Sequence, residues 1–536
     1  MKIIFKYFVD GIKKFKFHFI KTFLLFIFSA LLTIAVPISM KMVTSNYGNE
    51  ENILIYIGFF ILLILFSAFL GVIKTKYMDE FGGEYLKYIL KKIQFTLYNT
   101  DLKNTDLLYK NGLSHTLFSD TMTIMSTIGV MIPSLISSVT ILITLIIVSL
   151  FFNKMIALFS VISIIVGVII AFLSRNKMYK TSMETNIKLK HVHDFTNEIT
   201  ENILDTRHNM LQKYYFNRTD RIISDFINTA KREDIIREGY NQIIVNYNII
   251  IQFTISIILS IPFINNSVSN ALFFIMIFNF MITQGSNIEL FIGKILSSSV
   301  SFFNINSILN LDTDKASTEI EKIDCIVVNN LRFDFETKNI IDDLSFSVKK
   351  GDVVLVEGSN GTGKSTLLKI LLKFYSYSGE LKYNNIDLKE INRDSLYRKI
   401  IYINQKEIIV NEDIENYLNE VLKLDISKNE ITKFLNRLKF ENKQTYTLNN
   451  KELSGGEIKK VLMAKLFFGS KSRDVILIDE IEAGLDSESL EQLSEIINKI
   501  AEKKDKIVLI VSHGGKLNVN YTHVLNMDRR EFTEVS

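Results

Sequence analysis

The sequence predicts a membrane protein in two unlike parts: a six-helix α transmembrane domain with long cytoplasmic helix extensions, then an α/β domain built on a phosphate-binding loop. Three observations carry this expectation. Six long apolar runs fall before about residue 300, whereas beyond residue 320 short strand-like runs alternate with charged helical ones. The long polar segments between the apolar runs are charged and nearly free of glycine and proline, as helices are. In the second part, one apolar strand leads into a glycine-rich loop and then a helix. The 536 residues are 48% hydrophobic, and the mean hydropathy is positive. The net charge of +4 is small and says little about partners; there are no long charge runs, so no nucleic acid is expected as a partner. The single cysteine, Cys325, excludes a disulfide framework and a cysteine-based metal site.

The runs at about 19–43, 52–73, 124–150, 156–174, 244–263 and 271–292 are long enough to cross a bilayer, which needs roughly 20 apolar residues. The first is too long for a signal peptide, ends in the poor cleavage sequence AVPISMKMV, and is followed at once by a second span. Basic residues give the orientation. Lys2, Lys6, Lys13, Lys14 and Lys16 flank the first span, and segments 74–123 and 175–243 carry many more, whereas the three short loops hold only Lys154. The reading is a multi-pass protein of the cell membrane with both termini in the cytoplasm. The opening MKIIFKYFVDGIKKFKFHF sets aromatics and lysines in a helical pattern and reads as an elbow along the inner surface. The long segments read as helices that turn briefly at each tip. For the first tip the candidate is LYKNGLSHTLFSD (108–120), with Asn111 and Gly112. The polar stretch NLDTDKASTEIEK (310–322) links a transmembrane domain, 1–309, to a second domain, 323–536.

The loop of that domain comprises Gly358, Ser359, Asn360, Gly361, Thr362, Gly363, Lys364, Ser365 and Thr366, and fits G-x-x-x-x-G-K-[ST]. Its backbone N–H groups suit the phosphates of ATP, Lys364 the β/γ oxygens, and the Ser365 hydroxyl a Mg²⁺ ion. The strand VILIDE (475–480) adds Asp479, which can hold Mg²⁺ through water, and Glu480, which can act as general base or orient the attacking water. Alone, this pair could also be an ordinary strand ending in solvated acids. A second anion site is expected at ELSGGE (452–457), where Ser454, Gly455 and Gly456 open a helix.

LSGGE resembles the signature of ATP-binding cassette (ABC) proteins, and the other motifs of that family follow in order. The resemblance implies that Ser454, Gly455, Gly456 and Glu457 cover the γ-phosphate bound on a second copy's phosphate loop. It also implies that Gln405, in YINQKE, senses γ-phosphate and Mg²⁺, that Asp486, in EAGLD, couples the two sites, and that His513, in IVSHGG, contacts the γ-phosphate. Phe335 lies where the family stacks an aromatic on adenine; a core phenylalanine is the other reading. Six spans followed by one such domain resemble an exporter-type half-transporter, which implies a second half-transporter as partner. An intact Glu480 and signature favour a homodimer. The chain departs from the family's usual pattern at Glu457, often Gln, and at Ile481, often Pro. TYTLNNKE before the signature lacks the glycine-rich coupling motif of many multidrug exporters, and GEIKKVLMAK replaces an arginine-rich run.

For the cargo, the sixth span carries Asn279, Thr283 and Asn287 at i, i+4 and i+8, with Gln284 and Glu289 nearby; the fifth has Gln242, Asn246 and Gln252. Two readings fit: a mildly polar stripe lining a cavity, or hydrogen bonds between helices. With few fixed charges, a small amphipathic peptide or lipophilic compound is the expected substrate. A lipid-linked precursor flippase and an ATP-gated channel or regulatory membrane protein are the alternatives. No cysteine precedes the first span, so no leader-cleaving protease is expected.

Overall fold

A computed structural model describes residues 2–45, 50–110, 113, 116–152, 154–263, 268–335, 338–404, 413–440, 454–512 and 517–535. The chain divides into two compact units, Met1–Asn99 with Thr105–Leu311, and Thr100–Asn104 with Asp312–Ser536.

The first unit is helical: α1 (Lys2–Lys14), α2 (Lys16–Ser45), α3 (Glu50–Asn99), α4 (Leu102–Lys110, whose first three residues count with the second unit), α5 (116–152), α6 (Lys154–Glu201), α7 (Gln212–Phe263), α8 (Val268–Ser297) and α9 (Ser299–Leu309). Helices α3, α6 and α7 have 50, 48 and 52 residues. At 1.5 Å per residue each is about 75 Å long, against a hydrocarbon core of about 30 Å. One continuous helix therefore carries both an apolar run and a charged extension, as expected. Among the described residues, four helical stretches are long and apolar enough to cross a membrane: Lys16–Ser45, Leu54–Asn99, Thr116–Phe151 and Ile275–Leu309. The runs at 156–174 and 244–263 fall within α6 and α7, where many side chains lie outside the described residues.

The expected elbow, α1, is amphipathic, but its apolar face packs on protein. Ile4, Tyr7, Phe8 and Gly11 are buried, in a cluster with Phe81, Tyr85 and Ile89 of α3 and Phe302 and Ile305 of α9. Helices α3 and α5 touch at two glycines. A Cβ on Gly129 would lie 2.5 Å from the Gly82 Cα, so Gly129 has no room for a side chain, and a Cβ on Gly82 would meet the Gly129 Cα at 3.1 Å. The crossing coincides with a π-helical turn, Thr127–Met131.

A turn between two helices precedes the candidate tip stretch. Helix α3 ends at Asn99 and α4 begins at Leu102; Asn111 and Gly112 lie outside the described residues. Residues Thr100–Asn104 belong to the second unit. The Asp101 carboxylate accepts from the Ser376 backbone N–H at 2.6 Å and from its hydroxyl. The Leu102 N–H donates to the Phe374 carbonyl at 2.8 Å, and Arg393 donates to the Thr100 carbonyl at 3.2 Å.

The rest of the second unit contains β1 (Cys325–Phe335), β2 (Lys338–Lys349), β3 (Val353–Glu357), α10 (Lys364–Leu371), β4 (Ser378–Tyr383), β5 (Ile386–Asp387), β6 (Ile400–Ile403), α11 (Gly455–Gly469), β7 (Val475–Asp479), α12 (Ser487–Ala501), β8 (Ile507–Val511), β9 (His523–Asn526) and β10 (Glu531–Glu534). The strands form a four-stranded sheet, β2-β1-β4-β5, and a six-stranded sheet, β10-β9-β3-β8-β7-β6. In the larger sheet β9, β3, β8, β7 and β6 run parallel. Strands buried on both faces read as unbroken apolar runs, which is why VILI and IVLIV carry no alternation. Ile476, Ile478, Val508 and Ile510 enter one core, with α11 and α12. Val475, Leu477, Leu509 and Val511 enter another, with α10 and the smaller sheet.

Candidate nucleotide site

Parallel strands present their carboxyl ends along one edge, the usual place for a ligand in an open α/β sheet. Register pairs Val511 of β8 with Val356 of β3 on one side and with Asp479 of β7 on the other. The phosphate loop follows β3, and Asp479 ends β7. Strand β6 ends at Ile403 and β8 at Val511, each two residues before a predicted site residue, Gln405 and His513. Those two residues lie outside the described residues.

Gly358 opens the loop, and Gly361 has φ +87°. Gly363 is the N-cap of α10 at φ +91°. A Cβ there would sit 3.0 Å from Ile340 and Ile341, so only glycine lets the helix start this close to the hairpin between β1 and β2. No side chain caps α10. Its first-turn N–H groups therefore have no side-chain acceptor within the cap, which suits a phosphate. The Lys364 ammonium donates to the carbonyl oxygens of Gly358 and Ser359 at 2.8 and 3.0 Å. Thr362 also donates to the Ser359 carbonyl, at 3.0 Å. Asn360 is exposed, and Thr366 is half-buried in the first turn of α10.

The Ser365 hydroxyl donates to Asp479 at 2.9 Å. The other Asp479 oxygen accepts from the Tyr402 hydroxyl at 3.2 Å. Burial pushes the Asp479 carboxyl above the ordinary aspartate range, and the two hydroxyl donors pull it partly back. Glu480 follows at φ +48°, a left-handed backbone uncommon outside glycine and found where a turn presents a side chain. Its N–H donates to the Val511 carbonyl at 3.0 Å, which ties the turn to β8.

The signature start is self-capped. Ser454 accepts from the Glu457 N–H at 3.3 Å, and the Glu457 carboxylate accepts from the Ser454 N–H at 2.8 Å and from its hydroxyl at 2.9 Å. This is a capping box, so Glu457 helps start α11, while Gly455 and Gly456 are exposed with nothing within 4 Å of an added Cβ. Asp486 is likewise an N-cap, of α12, accepting from the Ser489 N–H at 2.8 Å, and hydrogen bonds from the Ser489 side chain first and from that N–H second hold its carboxyl below the usual range. Phe335 ends β1 half-buried, edge-on to Tyr375 with ring centres 6.5 Å apart.

Two family models match. The transmembrane region of ABC transporters matches residues 19–286, and the ABC transporter ATP-binding region matches residues 341–483. The chain belongs to the ABC transporter family. Among curated relatives, a probable ABC transporter ATP-binding/permease protein of Haemophilus influenzae is 29% identical over 313 residues, 55% of each chain. A lacticin-481/lactococcin-DR transport/processing ATP-binding protein of Lactococcus lactis is 27% identical over 250 residues, covering 42% of this chain and 35% of that one. An ATP-dependent lipid A-core flippase of Pseudoalteromonas translucida is 24% identical over 275 residues, covering 48% and 46%. The chain thus spans about half the length, or less, of these relatives. A solved structure of a bacterial Atm1-family ABC exporter with ATP bound aligns with TM-score 0.85 at 15% identity, over 97% of this chain and 94% of that chain, and has the same fold.

Within this ABC fold two residues missed in the sequence bear on the site. Tyr402 holds Asp479 from the neighbouring strand. Asp528, in the turn between β9 and β10, accepts from the Ser359 N–H at 2.8 Å and from its hydroxyl at 2.6 Å, bracing the phosphate loop from the far end of the sequence. Neither follows a motif; only the strand order would have pointed to them.

Proposed function

We propose that two copies of this chain pair, hydrolyse ATP and export an amphipathic peptide or lipophilic compound. The observation that supports it best is the Ser365–Asp479 hydrogen bond beneath the phosphate loop, with Glu480 next along the same strand edge. A hydroxyl and a carboxylate at that distance form an all-oxygen set, which suits Mg²⁺ held mainly by phosphate and water. The bound ion supplies charge neutralisation on the β and γ oxygens. In this reading the loop amides and Lys364 hold the phosphates, Ser365 and Asp479 position the ion, and Glu480 takes a proton from the attacking water. Gln405 and His513 complete the γ-phosphate side, Phe335 meets the adenine, and Ser454–Glu457 with Asp486 act on the partner copy's nucleotide. The chain's place is the cell membrane, with both termini in the cytoplasm.

Hydrolysis reaches the membrane helices through Thr100–Asn104, which are bonded to the nucleotide unit and covalently continuous with α3 and α4. Replacing Glu480 by Gln should leave ATP binding intact and lower turnover by about 10²-fold or more, the worth of a positioned base. Near-normal turnover in that variant would remove Glu480 from this role. Similarity to a lipid A-core flippase supports a second reading, movement of a lipid-linked precursor. Reconstituted protein whose ATPase responds to lipid-linked sugars and not to peptides would favour it.

A further inference from the structure

Two lysines are buried among the described residues: Lys364 of the phosphate loop, and Lys465 on α11, which is 7% exposed. Burying an ammonium is costly unless it is hydrogen-bonded. Lys364 has its place in the proposed nucleotide site. The Lys465 ammonium donates to the Tyr402 carbonyl at 2.9 Å. Tyr402 stands one residue from the end of β6, the edge strand of the larger sheet. Its hydroxyl donates to the Asp479 carboxylate at 3.2 Å. The backbone and side chain of this one residue thus join α11 to the carboxylate that Ser365 also meets, at 2.9 Å.

The contact sits on a close-packed face. Gly469 follows Lys465 by four residues, one helical turn, so the two share a side of α11. A Cβ added to Gly469 would run into the Ile401 side chain, so this side of the helix is pressed against β6. Neighbouring strand residues point to opposite faces: Ile401 enters the core that α11 helps to build, and Tyr402 packs on the other. The carbonyl is therefore the part of Tyr402 within reach of α11. That helix begins at the signature glycines and reaches β6 nine residues after Gly456, about 14 Å along its axis. We propose that Lys465 is a positioning residue for the carboxylate assigned to Mg²⁺: it fixes the end of β6 and so sets where the Tyr402 hydroxyl meets Asp479. The inference rests on the ATP reading above. A lysine that only covered an edge carbonyl would stabilise the fold and leave ion binding alone, and the test separates the two.

The test uses the full chain in detergent, carrying Glu480→Gln so that ATP is bound and not turned over. ATP affinity is measured by calorimetry with Mg²⁺ and again with EDTA, and the ratio of the two is the gain due to the ion. Lys465→Met, which keeps the length of the side chain without its donor, should cut that gain about tenfold, the lower end for outer-shell partners of a metal. Affinity in EDTA should not change. Lys465→Arg should restore the gain. Tyr402→Phe should cut it as well, and adding Lys465→Met to Tyr402→Phe should cut it no further, because the route through the hydroxyl is already gone. Should the Met variant fail to fold, Lys465→Gln, a donor of shorter reach, is read the same way. Equal losses with Mg²⁺ and with EDTA, or a lowered melting midpoint with the gain unchanged, would reduce Lys465 to packing and overturn the inference. A loss that adds to that of Tyr402→Phe overturns it too, since Lys465 would then act by another route. If Mg²⁺ gives no gain in the Glu480→Gln chain itself, the ATP reading falls and the inference with it.

Discussion

Asp479 shows how one residue's environment shapes the chemistry around it. Burial raises its carboxyl, Ser365 and Tyr402 lower it by bonding to the charged form, and Glu480 raises it again. A proton and Mg²⁺ would compete for this carboxylate, so in the proposed mechanism the acid limb of the ATPase profile lies above that of an ordinary aspartate. Tyr402→Phe removes one bond to the charged form, so the carboxyl rises further and the limb should move to higher pH. The sign for folding follows the same shift: the unfolded chain ionises Asp479 first, so this residue's contribution to stability falls as pH rises toward its folded value. A pH profile of Mg²⁺-dependent turnover, wild type against Y402F, checks this; a coincident or lowered limb would sink it. The glycines of the phosphate loop were legible because backbone geometry forces them at fixed spacing. Tyr402 was not, because its contact crosses from β6 to β7 through a register, Tyr402 opposite Leu477, that no local pattern encodes. Asp528 meets Ser359 across 169 residues and was equally silent.

Among the elements, the parallel strands were the most readable. Val353–Val356, Val475–Ile478 and Ile507–Val511 are apolar throughout because both faces are buried. The long helices followed from charge with little glycine and no proline in segments 74–123 and 175–243. The fate of α1 did not follow: an amphipathic pattern says that one face is buried, and cannot tell a bilayer from α3 and α9. The helix crossing at Gly82 and Gly129 was also hidden, since a glycine pair reads the same whether or not two backbones meet there. Gly129→Ala should cost about 1–3 kcal/mol through overpacking, less the roughly 0.5–1 kcal/mol that alanine gains in a helix. Gly58→Ala, with nothing within 4 Å of its added Cβ, is the control and should be neutral or stabilising. Thermal midpoints of the two variants in one detergent decide it; G129A no less stable than G58A would disprove the close approach.

For the whole molecule, the exposed Gly455 and Gly456 and the uncapped start of α10 belong to one chain but are proposed to work across two. If so, defects in different motifs should complement. Chains carrying Lys364→Ala and chains carrying Gly456→Asp should each be inactive alone. Mixed before reconstitution they should recover part of the ATPase, because the mixed pair holds one site with both defects and one with neither. No recovery on mixing would place each site within one chain. Wild-type chain purified alone should turn over ATP, and strict dependence on a different chain would reject the homodimer.

The polar stripe of α8 links the membrane unit to cargo. Asn279 and Asn287 are half-buried and Thr283 is exposed, whereas Phe278, Met281, Ile282 and Glu289 on the adjoining face are buried. Thr283 donates to the Asn279 carbonyl of its own helix at 2.8 Å. A hydroxyl satisfied by its own backbone is free of any need for a neighbouring helix, which favours lining over bridging. Replacing Asn279, Thr283 and Asn287 together by Leu should impair transport, or its stimulation of ATPase, and leave basal ATPase and the melting midpoint near wild type. Interhelical bonds in membranes are worth about 0.6 kcal/mol each on average, so a bridging role would instead show as a lowered midpoint with transport intact. Cysteines placed singly at these positions, in a chain with Cys325 replaced, would add an independent measure: a lining face reacts with a polar thiol reagent, and a packed face does not.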